Sequence, residues 1–297
     1  MIHGFMGKKV KKKIRYNNVI LIPTDFSEVC ENAIVYGIEL AQFLQYRVCI
    51  LHVIDKKTKT ALVKENLGSE SIDQHLLKYK ETYEKLLPGK IETLFREGNI
   101  FRAIDQVAKE LKANLMILGT HGKQGLQHLF GSHALKVVLD SPCPVVVVQK
   151  PSYVNGYHKI VLPISSEIEP QQAVEWVLLM NNLFSSRIFI YQAVEKDPNL
   201  NNHLKIITKK ITTIFEARKI NYTISLAENS SDFSAQVISH AVENIADLII
   251  IMTMPAVDFT GFNFSAWDER IMFNEPQIPV MCINPIELGD YCYEWMM

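Results

Sequence analysis

Apolar positions in this chain switch between two periods. Short apolar runs at 19–22, 48–54, 91–95, 115–118 and 145–148 have the pattern of strands buried on both faces. Between them lie segments with apolar residues at helical spacing. Residues 28–44 place Ala33, Ile34, Gly37, Ile38, Leu40 and Ala41 on one face, and 71–87 do the same with Ile72, Leu76, Tyr79, Tyr83 and Leu86. Residues 100–111 and 134–139 complete the set. Ser27 stands before the first of these helices as its natural N-cap, and Ser132 before the last. Strands alternating with helices imply a parallel sheet with right-handed crossovers and helices on both faces.

The second half repeats this order. Ile160-Val-Leu-Pro163-Ile-Ser165 echoes Ile20-Leu-Ile-Pro23-Thr-Asp25. Ala246-Asp247 and the apolar run to Met252 echo Ala113-Asn114 and the run to Gly119, and Ile278-Pro279-Val280 to Ile283 echoes Cys143-Pro144 and the valines after it. The offsets of 140, 133 and 135 residues describe a tandem duplication with small insertions and deletions. Pro, Ser, Asn and Gly cluster at the joint. The division expected is a basic flexible leader at 1–18, a first domain at 19–150, a linker at 151–158 and a second domain at 159–297.

Candidate chemistry sits in the first copy. The run at 115–118 leads into a glycine-rich loop, Gly119-Thr120-His121-Gly122-Lys123-Gln124-Gly125, and then into Gly131-Ser132 and a helix. Strand, glycine loop and helix start together suggest an anion site, since glycines admit a phosphate close to the backbone and free N–H groups point at it. The loop is neither a Walker loop nor a dinucleotide fingerprint. Pro23-Thr24-Asp25 follows the first strand, at the strand ends where open α/β sheets hold ligands.

Gly119-x-x-Gly122, Gly131-Ser132, a helix and Cys143-Pro144-Val-Val-Val-Val148, together with Ile20-Leu-Ile-Pro23-Thr24-Asp25-Phe26-Ser27, resemble the signature of the universal stress protein family across the whole first half. The resemblance implies two tandem open, mostly parallel five-stranded α/β sandwiches, doubly wound and nucleotide-binding-like. It also implies an ATP-type nucleotide, as in those members that bind one. Carried over by residue, Asp25 meets the ribose or adenine end and Val53 offers backbone groups to the adenine. Gly119, Gly122, Gly131 and Ser132 hold the phosphates, and Pro23, Thr24, Leu118, Thr120 and His121 complete the lining. Asp25 can meet Mg²⁺ through a bound triphosphate. The family spacing between the second glycine and Gly-Ser is nine residues; here it is eight, 123–130.

The second copy departs where chemistry would sit. Ser165 replaces Asp25, Thr253-Met-Pro-Ala-Val-Asp-Phe-Thr-Gly261 replaces the glycine loop, and Ala266-Trp267 stands for Gly-Ser. The expectation is a second domain without a nucleotide site, its aromatics serving as core or interface.

Composition narrows the rest. An apolar fraction of 48% supports a packed core, and a net charge of −1 gives no global signal for nucleic acid or membrane. No apolar run reaches the length of about 20 residues that spans a bilayer. Five scattered cysteines form no CxxC pair, which suggests neither a disulfide framework nor a zinc site and fits a cytoplasmic protein. No nucleophile elbow, metal-binding His pair or Walker lysine is present. The expected function is a nucleotide-binding stress or regulatory module acting on an unidentified protein partner. The alternatives are a scaffold that binds no nucleotide and, at most, a slow ATPase. The last strand of each copy would be an exposed sheet edge. Related single-domain proteins dimerise near that edge, so the two domains are expected to pair as a pseudo-dimer, with a homodimer of the whole chain open.

Overall fold

The structure is a computed structural model that describes residues 17–120, 128–150, 156–166, 170–253, 255–258, 261–264 and 266–285. Residues 1–16 of the basic leader, His121, Gly122, residues 151–155 of the linker and the C-terminal tail therefore lie outside the described residues. In the first half β1 (Val19–Thr24), α1 (Glu28–Leu44), β2 (Arg47–Ile54), α2 (Lys56–Lys64) and α3 (Glu70–Tyr83) are followed by β3 (Ile91–Glu97), α4 (Ile100–Leu111), β4 (Leu115–Gly119), α5 (His128–Asp140) and β5 (Val145–Val148). The second half runs β6 (Lys159–Ile164), α6 (Gln171–Phe184), β7 (Arg187–Gln192), α7 (Pro198–Ala217), β8 (Tyr222–Leu226) and α8 (Phe233–Glu243). It ends with β9 (Leu248–Met252), β10 (Pro255–Asp258), β11 (Gly261–Phe264), α9 (Ala266–Met272) and β12 (Val280–Ile283).

One ten-stranded sheet, ordered β3-β2-β1-β4-β5-β12-β9-β6-β7-β8, carries both halves. Each half has the same internal order read outward from the middle. Every pairing within a half of this sheet is parallel, and the halves meet through the antiparallel pair β5–β12. Val147 faces Val280, Val146 faces Met281 and Val145 faces Cys282. With an offset of 135 residues between the two last strands, Val146 and Met281 are equivalent positions. A residue paired with its own equivalent lies on a two-fold axis, the geometry of an isologous dimer built inside one chain. This pairing closes the two edges the valine run would otherwise expose.

Two amides fasten the same seam. The Asn284 side chain donates to the carbonyls of Val138, Leu139 and Ser141 at 2.7, 3.0 and 2.9 Å, capping the end of α5 from the other half. Its equivalent, Gln149, donates to the carbonyls of Met272 and Asn274, both at 3.3 Å, capping the end of α9. Terminal helix carbonyls need such partners when buried.

Alternation along the strands splits the core into two layers. Ile20, Ile22, Val48 and Ile50 pack with α1, α3, α6 and α7 on one face, and the cluster continues across the seam through Val146, Met281 and Ile160. Val19, Leu21, Cys49 and Leu51 pack with α4, α5, α8 and α9 on the other. On the first face Gly37 lets α1 approach closely: a Cβ there would come 2.4 Å from Ile22 Cδ1.

Three local expectations change. α5 begins at His128, so Ser132 lies inside the helix and does not cap it. Ser27 is the N-cap of α1 by position but makes no side-chain cap bond. The second-copy segment read as a loop contains the antiparallel hairpin β10–β11.

Candidate functional site

The sheet order reverses between β1 and β4, the switch point at which open α/β sheets form a crevice. A cavity of about 310 Å³ lies there, over the C-terminal ends of β1, β2 and β4. It is lined by Pro23, Thr24, Asp25, Val53, Leu118, Gly119 and Thr120 together. These residues are far apart in sequence and meet because β2 and β4 flank β1 in parallel register. Gly131 and Ser132 are placed in the first turns of α5, whose later residues Ala134 and Val137 line the cavity. The Ser132 N–H is committed to the ladder of its own helix.

The turn after β1 explains how Asp25 is held. Thr24 Oγ1 accepts from the Phe26 N–H and Asp25 Oδ1 from the Ser27 N–H, both at 3.0 Å. Phe26 has φ of 66°, a left-handed conformation unusual for a bulky side chain. Its ring stacks on His52 at 4.4 Å, which anchors the turn against β2. Burial alone would push the Asp25 carboxyl up, but hydrogen bonds from Ser27 and the Cys30 thiol outweigh it and hold the pKa below the usual value. Asp25 is therefore ionised at neutral pH, an acceptor suited to hydroxyl groups. Burial, with the Asp25 charge beside it, pushes the Cys30 thiol up to about 12, so that cysteine stays protonated.

His52 is buried, and its Nδ1 lies 2.8 Å from the Thr24 carbonyl. That contact makes Nδ1 the donor and leaves Nε2 a bare acceptor with no partner among the described residues. Burial lowers its pKa and favours this neutral form.

Gly119 has a different reason from the one its motif suggests. A Cβ built there would lie 2.4 Å from the Val29 carbonyl oxygen and 3.1 Å from Cys30 Cα. The missing side chain lets the end of β4 pack against the first turn of α1. Thr120 follows, buried, with its N–H donating to the Val148 carbonyl at 3.0 Å.

Several lining residues escaped the sequence reading. Asp55 caps α2, its carboxylate accepting from the Thr58 N–H at 2.8 Å, and so brings Lys57 and Thr58 to the rim. An Asp directly after a strand and before a helix is a legible cap signal. It was masked because α2 buries no residue and has no apolar face to read. Ile100 and Ile104 at the start of α4 complete an apolar wall with Val53 and Leu118. Among the described residues no three His, Cys, Asp or Glu side chains gather as a metal cluster.

The profile of the Universal stress protein family matches residues 17–149. A universal stress protein of Methanocaldococcus jannaschii is 36% identical over 154 residues, 49% of this chain and 86% of that protein. The chain belongs to the universal stress protein family. Another universal stress protein, from Thermus aquaticus, is 30% identical over 139 residues, 44% of this chain and 97% of its own. The crystal structure of a universal stress protein from Archaeoglobus fulgidus superposes with a TM-score of 0.66 at 17% identity. It covers 90% of this chain and 98% of that one, a likeness of fold that takes in both halves. Among the described residues no helix is long and apolar enough to cross a membrane.

The corresponding place in the second half is built otherwise. Trp267, at the position of Ser132 by the 135-residue offset, lines both a residual cavity of about 20 Å³ over the ends of β6 and β9 and a wider cleft of about 360 Å³ beside Ser165 and Glu195. Its ring stacks on Phe233 at 5.3 Å.

Proposed function

We propose that the first-half cleft binds an adenine nucleotide, ATP being the form expected, and that its occupancy sets a conformation read by a protein partner in the cytoplasm. The observation that carries this reading is the cleft itself. An apolar slot of Val53, Leu118, Ile100 and Ile104 suits a purine, and an ionised Asp25 at its edge suits ribose hydroxyls. Gly119 and Thr120, the first residues of the glycine loop in sequence, line the slot. A cavity of about 310 Å³ falls within the range usual for small-molecule sites. Mg²⁺ would travel with the triphosphate, for which Asp25 and Asp55 are the available carboxylates and Lys57 the available cation; bound, it would neutralise phosphate charge. In this reading the chain is a tandem duplication in which the second copy has lost its nucleotide site, Ser165 standing for Asp25 and Trp267 for Ser132. The residues support at most slow hydrolysis.

A second reading, a scaffold that binds no nucleotide, draws on one feature. α5 starts at His128, and with only eight residues between Gly122 and Gly131 the Ser132 N–H is already used within the helix. The two readings separate in a thermal melt combined with amide NMR. Nucleotide binding predicts a higher melting temperature with ATP and Mg²⁺ and a shifted Thr120 amide resonance. An unchanged melt with unchanged resonances leaves the scaffold. ATP retained through purification from the native host would count against the scaffold.

A further inference from the structure

The second half has a cleft of its own whose chemistry differs in kind from the first. It has a volume of about 360 Å³ and lies past the C-terminal ends of β6 and β7, against the start of α8. One wall is Trp267, the end of a stack that continues through Phe233 to Tyr191, with ring centroids 5.3 and 5.8 Å apart and planes within 10° and 8° of parallel. Phe233 is covered on both sides by this stack, whereas Trp267 is only half-buried and borders the cleft. The stack fixes the indole without closing off the cleft.

The rim is made of short hydroxyls and acids. Ser165 occupies the position of Asp25, Glu195 follows β7, and Ser230 sits exposed on the loop before α8. Glu195 spends one oxygen on the Ser166 hydroxyl at 2.5 Å, and among the described residues it has no ion pair. Across the cleft Arg270 is neutralised: its Nη1 lies 2.7 and 2.6 Å from the two oxygens of Asp232. The cleft thus carries one uncompensated carboxylate, no free guanidinium and, by sequence, no glycine loop. A phosphate would meet net negative charge with no backbone cradle. An uncharged ring bearing vicinal hydroxyls would meet an aromatic face and several short acceptors, a combination suited to sugar rings because C–H groups stack on indole while hydroxyls donate to carboxylates.

We propose that this second cleft binds an uncharged ring-bearing polyol, either a free sugar or a nucleoside, stacked on Trp267 with its hydroxyls on Glu195, Ser165 and Ser230. The inference stands apart from nucleotide binding in the first half.

Saturation-transfer NMR and calorimetry on the full chain, with ribose, glucose and adenosine as separate probes, test it. The wild type is compared with Trp267→Ala, with Ser230→Phe, which blocks the mouth from an exposed position, and with Asp25→Ala. Saturable binding of at least one probe is expected. For ribose and glucose it should weaken tenfold or more, about 1.4 kcal/mol, in Trp267→Ala and Ser230→Phe and stay unchanged in Asp25→Ala; for adenosine, which the first cleft also suits, the same loss is expected when Trp267→Ala and Ser230→Phe are made in the Asp25→Ala background. Binding by sugars identifies a saccharide site, and binding by adenosine alone a nucleoside site. Absence of binding by all three probes at millimolar concentration overturns the proposal. So does binding that survives both second-half variants but disappears in Asp25→Ala, which would place the ligand in the first cleft. Adenosine monophosphate bound through Trp267 as tightly as adenosine would refute the charge argument.

Discussion

Replacing Gly119 by Ala is the sharpest test of how the first-half cleft is built. The added Cβ would stand 2.4 Å from the Val29 carbonyl oxygen and 2.8 Å from its carbon, where an ordinary contact is 3.4–4 Å. The shortfall is about 1 Å, and both atoms are backbone in the first turn of α1, so no side-chain rotation relieves it. Either β4 or the start of α1 must move. Overpacking of this kind costs about 1–3 kcal/mol. Gly119 does not have positive φ, so Ala loses nothing in backbone geometry and recovers about 0.4–1 kcal/mol by restricting the unfolded chain. The net destabilisation expected is about 1–2 kcal/mol. For a cooperative unit of roughly 150–250 residues this lowers Tm by about 2–8 °C. Thermal and urea melts followed by circular dichroism measure it. Because the displaced turn follows Asp25, nucleotide affinity should fall in the same variant. A melting temperature equal to or above the wild type would refute the reasoning, since the glycine would then not be needed for packing.

Three further expectations concern the seam and the titrating groups. Asn284→Ala strips the partners from the last carbonyls of α5 and should cost about 1–3 kcal/mol, more than Gln149→Ala, whose bonds are longer; equal losses in urea melts would show that the two caps do not differ as their geometry implies. Asp25 has a folded pKa below its unfolded value, so its contribution is present above the unfolded pKa and is lost as pH falls through the folded one. Melts of wild type and Asp25→Asn should therefore converge on acidification below pH about 4; a constant gap would contradict the hydrogen bonds assigned to that carboxylate. Glu175 is pushed up to about 7 by burial, so its folded pKa lies above the unfolded one, and ionising it destabilises the protein as pH rises past the unfolded value. Glu175→Gln should raise Tm at pH 8 and leave it unchanged near pH 4, and an equal effect at both would exclude titration as the cause.

Much of the fold is legible because it rests on burial. β5 and the helices α1 and α4 appear in the apolar pattern with the bounds they have in the structure, since each buries a continuous stripe or run. The pairing of β5 with β12 follows from the same logic, as a run of valines cannot be left as a bare edge. What the pattern does not carry is structure held by polar contacts. α2 buries nothing and depends on the Asp55 cap, so periodicity passes over it. The hairpin β10–β11 occupies a stretch with Pro255 at its start, which reads as a breaker when the partner strand is unknown.

The candidate site was legible in part for the same reason. Pro23, Thr24, Asp25, Val53, Leu118, Gly119 and Thr120 line one cavity because they end neighbouring strands, a consequence of topology. Gly119 illustrates a residue found by motif and explained otherwise, its lost Cβ facing α1. Cys30 and His52 carry no motif. They enter the site because α1 and β2 are packed against the Thr24–Ser27 turn, and only the three-dimensional arrangement shows it.

The measurement that bears most directly on the account is calorimetric titration of the full chain with ATP and Mg²⁺, run beside Asp25→Ala. Saturable binding to the wild type that is lost or weakened at least tenfold in the variant, about 1.4 kcal/mol, is the predicted result. Absence of heat in both proteins, with both folded by circular dichroism, would contradict nucleotide binding in the first-half cleft and leave this universal stress protein as a scaffold read by its protein partners.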